Sequence, residues 1–151
     1  MRTLVGCLFV VAAGLAVAQT PQELRSRYGE PEVERFRPRP GVGLTVEYGS
    51  DRLACRILIE PPQQLLSYDE EARFMSSETV TGILEEVVPM ATRGKETMRV
   101  HSVSGCNEFD VTEYENLSIA RSTHNCLPLK PERETRATVI FKRDICRTQS
   151  K

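Results

Sequence analysis

No excess of one charge marks this sequence: 20 Lys plus Arg stand against 21 Asp plus Glu, a net charge of −1 over 151 residues. That balance argues against a strongly basic nucleic-acid binder and against an acidic disordered tail. The basic residues also lack the interleaved aromatics of a nucleic-acid surface, so nucleic acid is not an expected partner. The usual signatures of metal and cofactor chemistry are missing. There is no Cys-x-x-Cys pair, and the two histidines, His101 and His124, sit at no ligand spacing. There is also no His-Glu-x-x-His, calcium loop or glycine-rich phosphate loop. From the sequence, therefore, no metal ligand, no cofactor-binding residue and no catalytic residue is assigned. Internal repeats and low-complexity tracts are likewise absent.

What is present begins with a targeting pattern. Arg2 makes a short positive start, residues 4–17 carry no charge, and Ala16-Val17-Ala18 supplies the small residues that signal peptidase needs before a cut ahead of Gln19. The apolar stretch is about fifteen residues, short of the roughly 20 that span a bilayer core. Leu4-Val5-Gly6-Cys7 looks like a lipoprotein box, but the apolar run follows that cysteine instead of preceding it. The expectation is a signal peptide over residues 1–18 and a single mature domain over residues 19–151, secreted or periplasmic, with no stable membrane anchor after cleavage.

Cleavage removes Cys7 and leaves Cys55, Cys106, Cys126 and Cys146. An even set in an exported chain reads as two disulfides. The run near residues 113–121, read as one straight strand, spans about 30 Å at roughly 3.3 Å per residue, too far for a direct bridge between its flanking cysteines. The pairing expected on that basis is Cys106 with Cys146 and Cys55 with Cys126. Hydrophobic residues at 40% and charged residues at 27% give a globular balance with enough apolar material for a core.

Thr20-Pro21-Gln22-Glu23 is a capping box with proline at the first helical position, predicting a short helix over about 21–28 that stops at Gly29. Residues 30–40, with Pro31, Pro38 and Pro40, read as a stiff connector. Leu44, Val46 and Tyr48 alternate with polar residues, as do Leu53, Cys55, Ile57 and Ile59, and Gly49-Ser50-Asp51 between them supplies a hairpin turn. Ser67 with Glu70 forms a second capping box. From there Ala72, Met75, Val80, Ile83, Leu84 and Val87 trace a stripe of period 3.6, predicting one long helix over 68–88 with Glu78, Glu85 and Glu86 towards solvent. Phe74 falls off the stripe, and Ser76, Ser77 and Gly82 weaken the interior, so a break into two helices is the alternative. Three more strands are predicted, over about 97–103, 113–121 and 136–143. The fold class expected is α+β: an antiparallel sheet of the hairpin plus a three-stranded meander, covered by the long helix, with a short N-terminal helix beside it.

Residues 60–96 hold eight acidic and three basic side chains, a balance of −5, and residues 127–151 hold seven basic and three acidic, a balance of +4. Complementarity within the domain is the expected use of this asymmetry. His101-Ser102-Val103-Ser104-Gly105 lacks the glycine of a nucleophile elbow, and alternation puts His101 and Ser102 on opposite faces of a strand. His124 beside Asn125 and Cys126 resembles a thiol with its base, but an oxidised cysteine is no nucleophile. Asn116-Leu117-Ser118 is an acceptor triplet for N-glycosylation. The leading expectation is a noncatalytic exported module that binds a protein or a small ligand through a sheet edge or loops. The alternative is a small exported hydrolase whose acid and base meet only in the fold.

Overall fold

The computed structural model describes residues 20–62, 74–125 and 133–147. The signal-peptide segment, the Ser67–Glu70 capping pair, Ala72 and Cys126 fall outside the described residues. Contacts divide the chain into residues 1–31 and residues 32–151. In the first unit, helix α1 (Pro21–Tyr28) forms where the capping box predicts it. The Thr20 hydroxyl accepts from the Glu23 N–H at 3.2 Å, and the Thr20 N–H donates to the Glu23 carboxylate at 2.8 Å. That second bond holds the Glu23 carboxyl below the usual carboxylate value.

The second unit is built on an antiparallel sheet. Strands β1 (Val33–Arg39), β2 (Val42–Tyr48) and β3 (Ala54–Glu60) form one meander, and β5 (Glu96–Ser104), β6 (Asn107–Tyr114), β7 (Leu117–His124) and β8 (Arg133–Phe141) form another. The meanders join where β3 pairs with β8, giving the order β1-β2-β3-β8-β7-β6-β5, with β4 (Met75–Ser76) pairing beside β8. Helix α2 (Ser77–Val87), the one-turn α3 (Met90–Arg93) and α4 (Asp144–Arg147) complete the described elements of this unit. Among them no helix is long and apolar enough to cross a membrane, a statement that does not bear on membrane crossing by strands.

This architecture overturns the expected sheet under one long helix. Met75 and Ser76 pair with Glu134 and Arg133 as β4, and the Ser76 hydroxyl then caps α2 by accepting from the Thr79 N–H at 3.1 Å. The serine read as a weak helix interior is thus the helix start. An 11-residue helix is about 16 Å long, whereas seven strands at about 4.8 Å spacing span roughly 29 Å, so α2 covers only part of the face. Val80, Ile83 and Leu84 are its buried residues, as the stripe predicts, and they pack with Val42, Leu44, Val46, Ile57, Ile59, Leu117, Ile119, Ala137 and Val139 from the sheet.

Two further corrections follow from pairing. Residues 33–39, read as a connector, are the edge strand β1. Pro38 fits because the register slips between Phe36 and Arg39, and Pro40-Gly41 turns the chain into β2 with Gly41 at φ 72°. The run read as a single strand over 113–121 folds back at Glu115-Asn116, so that β6 and β7 pair from Glu113↔Ser118 to Asn107↔His124.

That reversal also overturns the expected disulfides. Cys55 is bonded to Cys146, with Cα atoms 5.2 Å apart, joining β3 to α4. Cys106 is itself disulfide-bonded, so Cys146 is not its partner. The β6–β7 hairpin sets Cys106 beside Asn125, whose N–H donates to the Cys106 carbonyl at 2.8 Å.

Candidate functional site

Strand β5 ends the sheet. The two-residue turn Gly105-Cys106 joins it to β6, with Ser104↔Asn107 as the first pair and an unbroken register from Met98↔Glu113 onward. In a hairpin of this type the residues flanking the turn exchange both backbone hydrogen bonds, and bonded and non-bonded pairs alternate from there. The backbone N–H and C=O groups of Arg99, His101 and Val103 therefore point away from β6, into an edge where no strand pairs among the described residues. All nine residues of β5 are exposed, Val103 at 59%. The opposite edge is different: β1 carries Pro38 and a register slip, devices that discourage further pairing. Residues 98–104 hold no proline, no lysine and no slip.

The two faces of β5 continue two surfaces. On the helix side the register aligns Arg99, Thr112, Ile119 and Val139, then His101, Asp110, Arg121 and Ala137, then Val103, Glu108, Thr123 and Glu134. The first two rows run from core under α2 to polar side chains near β5, and the third from the buried Glu134 to the exposed Val103. The result is a cleft of about 350 Å³ whose lining includes Arg93, Arg99, Glu108, Asp110, Tyr114 and Arg121. On the other face Val100, Val111, Ala120 and Thr138 form one row, and Ser102, Phe109, Ser122 and Arg136 the next. Phe109, Val111, Ala120 and Thr138 line a shallow, mainly apolar groove of about 300 Å³.

The arginines of the cleft are each matched by a carboxylate. Arg93, buried, donates to Glu85 at 2.5 Å and to the Val88 carbonyl at 2.8 Å, and stands 5.8 Å from the Tyr114 ring centre. Arg121 pairs with Glu134, which is 0% exposed, and also donates to the Thr81 hydroxyl at 3.1 Å. Arg99 donates to Glu96 at 2.8 Å, which raises its already high pKa and keeps it charged. His101 Nδ1 lies 2.9 Å from Asp110 Oδ1. Glu108 accepts from the Asn125 amide at 3.3 Å and makes no ion pair among the described residues.

No protein-family profile matches this chain, and neither a curated protein nor a solved structure is found similar to it.

Several residues singled out in the sequence do not reach this site. Ser102 faces away from His101, as alternation requires. His124 bonds Asn107 through Nδ1 at 2.9 Å and stacks on Phe74 at 5.5 Å between ring centres, which places both in a packing cluster at the end of the sheet. The Asn116 side-chain amide, the atom that would carry a glycan, donates to the Thr92 carbonyl at 2.9 Å. Among the described residues no group of three or more His, Cys, Asp or Glu is placed to hold a metal. Arg93, Arg121 and Asp110 carry no sequence signal that would have selected them; only the alternation of β5 and its lack of proline were legible.

Proposed function

We propose that this chain is an exported, noncatalytic binding module that takes up an extended segment of a protein partner as an added strand on β5. The observation that carries the reading is an edge strand exposed through all nine residues and regular over 98–104. Such an edge offers main-chain hydrogen bonds for affinity, and the side-chain surfaces on either side for selectivity. The exposed Met98, Val100 and Phe109 suit a segment with apolar residues at alternate positions facing the groove side and polar residues facing the cleft. Export rests on Arg2, the uncharged run 4–17 and Ala16-Val17-Ala18, and the Cys55–Cys146 bond agrees with an oxidising compartment.

Selection of displayed peptides against the oxidised protein tests this. Alternating, extended peptides are expected, and Val103→Pro should abolish their binding, because it removes an outward N–H without breaking a bond to β6. Peptides that bind the proline variant equally well would refute the reading. N-terminal sequencing of exported material should begin at Gln19, and an intact Met1 chain retained in a membrane would refute export.

Hydrolysis is the second reading, and the 2.9 Å pair of His101 with Asp110 beside the cleft is the observation in its favour. Ser102 and Ser104 lie on the other face of β5, so they do not complete a Ser-His-Asp arrangement with that pair. A hydrolytic activity lost in both His101→Ala and Asp110→Asn would move the assignment to an enzyme.

A further inference from the structure

We infer that the strand β5 receives is β5 of a second copy of this chain, the two running antiparallel about a two-fold axis at His101. This rests on the reading of β5 as a docking edge, and adds the identity of the partner. In an antiparallel pair, opposed residues share a face and the outward backbone groups must meet each other. Arg99, His101 and Val103 of one copy must therefore oppose residues from the same outward set of the other, which leaves few registers.

Centring on Val100 sets Arg99 against His101 of the second copy, adding a cation beside an imidazole on both sides of the axis. Centring on Ser102 carries Arg99 beyond the strand, opposite Gly105. Centring on His101 overlays residues 98–104 on themselves, the whole regular part of β5, and allows about six backbone hydrogen bonds across the axis. In this register Arg99 opposes Val103 of the second copy. Val103 is short, and its neighbour on β6 is Glu108, the cleft carboxylate with no ion pair among the described residues. An arginine side chain that exchanges its bond to Glu96 for a path over Val103 meets that carboxylate, and the two-fold axis makes the contact twice. On the other face Val100 opposes Ser102, behind which stands Phe109, so Val100 of one copy comes towards Phe109 of the other.

Sedimentation of the oxidised, signal-free protein over the micromolar range is expected to show a dimer. Val103→Pro should give a folded monomer whose melting no longer depends on protein concentration. Arg99→Glu and Glu108→Arg should each weaken association by about tenfold, from two lost surface pairs. The double variant R99E/E108R should recover it, a result that does not depend on how well the proline variant folds. A wild-type monomer at every concentration, a dimer indifferent to Val103→Pro, or a double variant no better than the singles would each overturn the inference. A monomer that still binds the selected peptides at β5 would overturn self-pairing alone, whereas a monomer that selects no peptide would overturn the docking reading with it.

Discussion

One carboxylate sits where charge is costly. Glu134 is fully buried, and Arg121 bonds both of its carboxylate oxygens. Removing one partner from such a pair strands the other, at about 3 to 5 kcal/mol, whereas replacing both with apolar residues of similar volume is often neutral. Arg121→Ala should therefore lower unfolding stability by about that amount, and the double variant R121M/E134L should regain most of it; equal losses in the two would show that the pair does not govern stability here. Gly94 is a backbone case. It has φ 78°, and a Cβ there would lie 2.9 Å from the Glu115 Cβ. The loop is closed tightly around it, since the Lys95 N–H donates to the Glu115 carboxylate at 2.9 Å and the Asn116 N–H to the Arg93 carbonyl at 3.1 Å. Gly94→Ala should cost about 1 to 3 kcal/mol in chemical unfolding. An unchanged midpoint would mean the loop relaxes freely.

Helix α2 works through one face and one end. Ile83 is 1% exposed inside the core, so Ile83→Ala should destabilise by about 2 to 4 kcal/mol. Glu85, read from the pattern as a solvent residue, holds the buried Arg93. Glu85→Ala should therefore also lower the unfolding midpoint, though by less than Ile83→Ala, because half of the Glu85 side chain is already in water. Equal midpoints for Glu85→Ala and the wild type would show that Arg93 is held by the Val88 carbonyl and Tyr114 without it. The helix stripe was legible because burial repeats every 3.6 residues. Its start was not, because Ser76 can cap a helix or sit inside one, and only the pairing of Met75 with Glu134 on β8 decides between them.

At the scale of the molecule, the Cys55–Cys146 bond ties the first meander to the end of the chain across 91 residues. A loop of that length corresponds to about 4 to 5 kcal/mol in the chain-entropy model. An unreduced digest should yield a peptide linking Cys55 to Cys146 and, from the position of Cys106 beside Asn125, another linking Cys106 to Cys126. A peptide linking Cys106 to Cys146 would contradict the pairing. Cys55→Ser/Cys146→Ser should unfold at lower denaturant than the oxidised parent.

The sequence by itself determined the elements whose signals are local: α1 from its capping box and proline, the β2–β3 hairpin from alternation around Gly49-Ser50-Asp51, and the buried face of α2. Each of these depends on residues within a few positions of one another. Tertiary structure alone decided that residues 33–39 form an edge strand, that Glu115-Asn116 reverses the chain, which cysteines meet, and that Arg99, Asp110 and Arg121 share a cleft with β5 at its rim. Those outcomes come from register between strands distant in the chain. Alternation fixes which residues of a strand share a face, but carries no information about which neighbour that face will meet or where the helix covering it will stop.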